Sequence, residues 1–226
     1  MCRTRLGASL LALVAALTAA GVAAAPGLVV VDQFAALGAD GLPPGWSLKQ
    51  WFGNGRDIGV VTDNGHTVLR LVSRDNSFGV YRKLEFSLRD YPILVWNWKV
   101  TQLPAGGDVR QRATDDQAAQ LYVLFPRFPS AVNTRLVGYT WETTTPKDLQ
   151  VTSTKSSNTR YVVVETGAAR LGEWVEERRN VYDDYKQLFG AEPPAVGGVT
   201  LMIDSDDTHS AAESLFGAIR FEPRAP

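Results

Sequence analysis

The chain has 226 residues, a formal net charge of −1, 45% hydrophobic residues and a single cysteine, Cys2. So even a charge balance argues against a nucleic-acid partner or an anionic membrane surface. With no cysteine after position 2, the rest of the chain has no disulfide, no thiol catalysis and no cysteine-based zinc site.

The first 25 residues read as an export signal. Arg3 and Arg5 form a basic start, Leu6 to Val22 an apolar stretch, and Ala23-Ala24-Ala25 a small-residue cleavage site before Pro26. This pattern predicts a signal peptide and a periplasmic or secreted protein, with the membrane involved only in export. The competing reading is an uncleaved anchor, for which the apolar stretch is near the minimum length. Cleavage after Ala25 takes the formal charge from −1 to −3. It leaves residues 26–226, expected to form one domain of about 200 residues that buries roughly 70% of its chain surface.

Leu28 to Asp32 reads as a first strand, and Phe34 as an anchor behind it. Gly41-Leu42-Pro43-Pro44-Gly45-Trp46 is a turn cluster, and Trp46 to Trp51 alternates loosely as a strand. Ile58 to Thr62 and Thr67 to Ser73 flank Asp63-Asn64-Gly65-His66, and Asn-Gly between two apolar runs predicts a hairpin. Asn76 to Leu88 alternates again, with Arg82 breaking the apolar side.

Two runs stand at the centre of the sequence. In Tyr91 to Val100, Leu94, Trp96, Trp98 and Val100 share one face, with Asn97 and Lys99 on the other. In Asp115 to Phe125, Ala119, Leu121, Val123 and Phe125 share a face, opposed by Gln120 and Tyr122. They read as two adjacent strands at the heart of a β-sandwich. Arg135 to Glu142 follows, with Val137, Tyr139 and Trp141 on one face; Thr143 to Thr159 reads as a long surface loop, and Arg160 to Thr166 as a short strand.

The period then changes. Trp174, Arg178, Val181, Tyr182, Tyr185, Leu188 and Phe189 recur at three and four residues, which predicts one substantial helix over 173–189. Gly190 supplies its stop, and Pro193-Pro194 forbid continuation. Val199 to Asp204 and Phe216 to Phe221 are late strands around an acidic loop, Asp204-Ser205-Asp206-Asp207-Thr208. The expected fold is all-β, a jelly-roll-like antiparallel sandwich with one helix capping an open end.

Several of these segments together resemble the bacterial exported family DUF3047. They are Gly41 to Trp46, Tyr91 to Val100, Asp115 to Ala119, Tyr139-Thr140-Trp141, Glu177 to Tyr185 with Phe189-Gly190, and Asp204 to Thr208. The resemblance implies export and a single domain, and it brings no activity, cofactor or catalytic residue. The family pattern reads Asp-Asp-x-Ala-Ala-Arg, whereas Gln120 stands at the arginine position here. If that arginine pairs with an acid in a site, the site is altered in this chain. Lys147 after Pro146 is a second departure, where the pattern implies a nearby glycine.

Three constellations carry polar chemistry. Asp115 and Asp116, with Asp204, Asp206 and Asp207, lie at strand ends. Converged, they suit Ca2+, which takes six to eight oxygen ligands; the plainer reading makes them turn and backbone caps. A polar strip is the second: strand parity allows Lys83, Asn97, Lys99, Gln120, Tyr122, Glu142 and Asp204 on one concave surface. Such amide, carboxylate and aromatic mixtures suit a sugar, and Glu142 with Asp204 suits acid–base glycoside chemistry; the plainer reading is a solvated sheet face. Third, Arg178-Arg179 with Asp183-Asp184 offers an anion site; the plainer reading is helix-surface ion pairing, Arg179 to Asp183. His66 and His209 are isolated, and no catalytic triad, phosphate loop, zinc helix or dinucleotide fingerprint is present.

These features favour a non-catalytic binding module for a glycan or another polar envelope component. The rival readings are a carbohydrate hydrolase or lyase using Asp and Glu, and a structural envelope protein.

Overall fold

Residues 27–224 are described by the computed structural model, so the signal-peptide segment lies outside the described residues. Two sheets face each other. The back sheet runs β11 (Val175–Asn180), β6 (Ile93–Gln102), β13 (Ala211–Glu222), β4 (His66–Arg74), β3 (Asp57–Asp63). β1 (Val29–Asp32) pairs with the second half of β13, beyond the stretch that β4 covers. The front sheet runs β2 (Trp46–Phe52), β5 (Ser77–Phe86), β12 (Val196–Asp204), β7 (Ala119–Phe125), β8 (Arg135–Glu142), β10 (Thr159–Thr166), β9 (Gln150–Thr152). All pairings are antiparallel except β8 with β10, which run parallel. The fold is a mostly antiparallel β-sandwich, as the sequence predicts.

The core is the meeting of the two apolar stripes read from the sequence. Leu94, Trp96, Trp98 and Val100 of β6 are fully buried, as are Ala119, Leu121, Val123 and Phe125 of β7. The two strands are not neighbours, however: β6 belongs to the back sheet and β7 to the front, and they face each other across the core. Period-2 alternation fixes which way a side chain points, not which strand lies beside it. Trp96 packs on Trp98 and on Tyr139, at ring-centroid distances of 5.4 and 5.2 Å, and Trp98 meets Trp141 at 6.1 Å. Each such ring buries about 150–250 Å² of surface, so this aromatic stack dominates the packing.

The Asn64-Gly65 hairpin forms between β3 and β4, with positive φ at both turn residues, 47° and 80°. The break at Arg82 has a partner: its guanidinium donates to Asp32 Oδ2 at 2.6 Å, and Trp46 Nε1 donates to the same oxygen.

The expected helix over 173–189 is half strand. Residues Val175–Asn180 form β11, pairing with the free edge of β6 from Val175↔Trp98 to Asn180↔Ile93. Only Val181–Phe189 is helical (α2, after a short α1 at Ser130–Asn133). The open ladder of β6 overrides helical spacing, and Val175 still turns into the core. Asn180 then caps α2 by accepting from Asp183 N, and Gly190 ends it at φ 62°. Arg179 pairs with Asp184 at 2.6 Å rather than with Asp183, because it sits on the strand. Tyr139 Oη donates to that same Asp184, and Tyr185 packs on Phe125 at 4.6 Å, so α2 closes one end of the sandwich. The expected surface loop at 143–159 contains the short edge strand β9.

Candidate functional site

The outward face of the front sheet is built in rows. One row runs across five strands through Tyr81, Thr200, Tyr122, Gly138 and Tyr161. The next runs through Lys49, Gly79, Met202, Gln120 and Thr140. Two glycines make room for the tyrosines. A Cβ at Gly138 would lie 2.8 Å from the Tyr122 ring and 2.9 Å from the Tyr161 ring, and one at Gly198 would lie 2.4 Å from Tyr81. The rings therefore lie down over the sheet instead of standing off it. Tyr122 and Tyr161 pack edge to face at 6.0 Å, with their hydroxyls 3.2 Å apart.

Tyr81, Thr200, Tyr122 and Tyr161 of the first row, with Lys49 and Met202 of the second, floor an open cleft of about 890 Å³. Trp51 and Phe52 stand on its rim at the edge strand β2, 54% and 52% exposed. Pro126, Ser130 and Thr134 line it after β7, and Ser153, Lys155 and Ser156 line it on the other flank.

One end of the cleft is acidic. Asp204, at the end of β12, is buried; its Oδ1 accepts from Gln117 N at 2.6 Å and from Gln120 Nε2 at 3.1 Å. Gln120 in turn accepts from the Tyr122 hydroxyl. Asp115 is buried beside it and accepts from Gln117 Nε2 at 3.0 Å. Lys155 Nζ donates to Asp207 Oδ2 at 2.5 Å and lies 3.9 Å from Asp115. Burial pushes the carboxyls of Asp204, Asp115 and Asp206 up, and the charge of Asp116 adds to the shift at Asp204 and Asp206. Burial opposes the charge on Lys155, but Asp207 and Asp115 hold its ammonium above the usual lysine range.

The connection from β6 to β7 covers this end. It buries Glu142, which accepts from Val109 N at 3.4 Å; among the described residues its Oε1 has no partner. Burial pushes Glu142 up to about 8, helped by the charge of Asp115.

Asp116 works as a brace. Its two oxygens accept from Asp207 N, Thr208 N and Thr208 Oγ1, at 3.2, 2.7 and 2.6 Å, and so fix the acidic turn. One oxygen each from Asp116, Asp204 and Asp206 lie within 4.8 Å of one another. That spacing suits an oxygen-ligated cation, although Asp116 and Asp204 already satisfy five donors from the protein. Asp115 and Asp207 share Lys155 instead.

Of the polar strip read from the sequence, the structure brings together Gln120, Tyr122, Glu142 and Asp204. Lys83 shares their sheet and face but stands exposed beyond the cleft. Asn97 and Lys99 are on β6, on the outer face of the back sheet, because β6 and β7 oppose each other. Sequence reasoning missed Tyr81, Tyr161, Lys155 and the rim pair Trp51-Phe52. Adjacent aromatics in a loosely alternating edge strand were the available signal for the rim pair.

A family profile described as a protein of unknown function, DUF3047, matches residues 45–220. The chain belongs to the DUF3047 family. Two of the segments that carry the DUF3047 resemblance, Asp115 to Ala119 and Asp204 to Thr208, meet at the acidic end, where Asp204 N donates to Gln117 O at 3.2 Å. Gln120 gives Asp204 a neutral hydrogen bond there. No curated protein matches the chain. Among solved structures, this DUF3047 chain is similar to a family 11 carbohydrate-binding module of a Clostridium thermocellum cellulase. That pair is 8% identical, with 88% of this chain and 96% of that chain covered and a TM-score of 0.46. It is also similar to the CBM22-1 xylan-binding domain of Paenibacillus barcinonensis Xyn10C, at 15% identity, 90% and 99% coverage and a TM-score of 0.44. Likeness at this level concerns how two sheets stack, not what they bind.

Proposed function

We propose that this DUF3047 chain is an exported, non-catalytic module that binds a glycan or similarly polar envelope ligand in the front-sheet cleft. The observation that carries the reading is the pairing of exposed Trp51 and Phe52 on the rim with half-buried Tyr81, over a tightly packed floor in which Thr200, Tyr122 and Tyr161 are buried. Aromatic faces stack on the apolar faces of sugar rings, and the hydroxyl, ammonium and carboxyl groups that line the cleft read the sugar hydroxyls. The test is calorimetric titration of the 26–226 protein with a panel of soluble envelope and plant polysaccharides, for wild type and Trp51→Ala. Saturable binding weakened about 10-fold or more by Trp51→Ala supports the reading; binding indifferent to Trp51→Ala, or none, overturns it. Export by the 1–25 leader is tested by sequencing the N-terminus of the protein recovered from the periplasm or medium, expected at Pro26.

A second reading has its own observation. Asp115 and Asp204 line the acidic end of the cleft, both with carboxyls that burial keeps protonated above the ordinary range. A protonated acid beside a bound sugar is the starting point of glycoside cleavage. Release of reducing ends or unsaturated sugars from the bound polysaccharide, abolished in Asp204→Asn, would make the protein an enzyme.

A further inference from the structure

The back sheet carries a second recess, on the opposite side of the sandwich from the cleft. It holds about 630 Å³ over β3, β4, β6, β11 and β13. Its origin is a bulge. The register of β13 on β6 slips between Phe216 and Ile219, so Gly217 and Ala218 stand opposite Asn97 without regular pairing. Bulges of this kind dent a sheet and re-aim its side chains. A Cβ at Gly217 would lie only 3.3 Å from Asn97 Cβ, a tight approach, and would merely touch the Trp174 ring at 3.5 Å, so glycine here lets β13 run close to Asn97.

Trp174 is the wall of this recess, and it is held firmly. Its Nε1 donates to Asp63 Oδ2 at 2.6 Å. Lys99 pairs with the same oxygen and lies 5.4 Å from the indole centroid. The Lys99 hydrogen bond outweighs the effect of burial and holds the Asp63 carboxyl below its usual range. The Trp174 indole is thus fixed by Asp63 and Lys99, while three other polar side chains of the lining are not engaged. Among the described residues, the side chains of Asn97, Glu176 and Gln33 have no hydrogen-bond or ion-pair partner, yet all three line the recess. Asn97 and Glu176 are cross-strand neighbours on this face. The charges nearly cancel: Asp63 is neutralised by Lys99, and Arg220, which pairs with Glu222, shares the lining with Glu176.

We infer that this recess is a second saccharide site, for a neutral sugar that stacks on Trp174 and is read by Asn97 and Glu176. An immobilised aromatic wall beside free amide and carboxylate groups suits a ligand with one apolar ring face and many hydroxyls. The near-neutral lining gives no purchase to a strongly charged ligand. The choice of sugar as ligand class rests on the glycan-binding reading of the cleft; the location does not. With sites on opposite faces, one chain bridges two glycan strands.

The test uses hexasaccharides of β-glucan, xylan and chitin as probes on the 26–226 protein. Trp46, Trp96, Trp98 and Trp141 are buried, so Trp51 and Trp174 are the two tryptophans whose emission a surface ligand reaches. Trp51→Phe leaves Trp174 as the reporter for the recess, and Trp174→Phe leaves Trp51 for the cleft. The expected result is two sugars per chain by calorimetry, with saturable quenching in both variants. Asn97→Ala and Trp174→Ala each weaken one of the two sites at least 10-fold and abolish the clouding of polysaccharide solutions by bridging. Glu176→Lys, on an exposed side chain, keeps the test open should Trp174→Ala fail to fold. One sugar per chain, unaffected by Asn97→Ala and Glu176→Lys, overturns the inference and leaves the cleft standing. One sugar per chain that these variants remove and Trp51→Ala does not supports the recess and overturns the cleft. No binding by any probe overturns both.

Discussion

The two outward faces of this sandwich follow the same alternation rule and reach opposite electrostatic solutions. On the back sheet, Asp63 meets a cation: Lys99 and the Trp174 indole both bond its oxygen, and its carboxyl is held low. On the front sheet, the acids are covered instead. The connection from β6 to β7 folds over Glu142 and brings Asp115 against Asp204, and Lys155 is the cation that pairs with this group. Their carboxyls are pushed up, mainly by burial. The lesson is that an outward position does not mean a solvated one. A loop that returns over a sheet can bury polar residues that parity alone would assign to water.

The contrast can be broken most forcefully at Asp116. Asp116→Ala removes the acceptor of three hydrogen bonds that hold the 207–208 turn. We expect about 2–4 kcal/mol of lost stability in urea denaturation, since bonds to a charged group are worth about 1.5–3 kcal/mol each and are not additive. A loss below about 0.5 kcal/mol would show that the cover of the acidic end does not depend on this brace.

The pH dependence sharpens the same contrast. Glu142 is raised to about 8 in the folded protein, and Glu177 to about 7, by burial and then by the charge of Glu165. The unfolded chain releases these protons in the ordinary carboxylate range and the folded chain keeps them. Stability is therefore full below that range and falls as pH rises towards 8. Glu142→Gln should flatten this fall and gain about 1–3 kcal/mol at pH 8, the cost of an ionised or unpaired buried group. Asp63 is the opposite case: its low carboxyl contributes stability above the ordinary range, lost as pH falls, and Asp63→Asn should flatten only the acid limb. Parallel denaturation series from pH 3 to 9 check both signs.

Smaller effects are expected on the rim. Trp51→Ala should change stability by less than about 0.5 kcal/mol, because the side chain is half exposed. Its effect belongs to binding, about 1.4 kcal/mol for a 10-fold loss. Lys155→Ala should cost no more than about 0.5 kcal/mol of stability, since its ion pairs are partly solvated.

The sequence carried the layers of this fold better than their order. The inward faces of Trp96 and Trp98 on one strand, and of Leu121 and Val123 on the other, were legible because strand parity is a local property. That β6 and β7 oppose each other was not legible, since pairing depends on which free edge each strand meets. The same reason split the polar strip, sending Asn97 and Lys99 to the far face. It also turned residues 175–180 into a strand, because the open edge of β6 needed hydrogen-bond partners more than Trp174 and Arg178 needed helical spacing. The acidic end was partly legible, because Asp115-Asp116 and Asp204 to Thr208 both sit at strand ends that the front sheet brings together. Tyr161 and Lys155 reach it only through the parallel β8–β10 pairing and the turn at 153–156, which no local pattern announced.

The most direct test is residue-level mapping of the bound sugar. Amide and indole chemical shifts of the 26–226 protein should be followed as the tightest saccharide of the panel is added. Shifts concentrated at the Trp51 indole and at Tyr81, Tyr122, Tyr161 and Thr200 are the predicted result. Saturable binding that leaves all of these unmoved would contradict the cleft as the site.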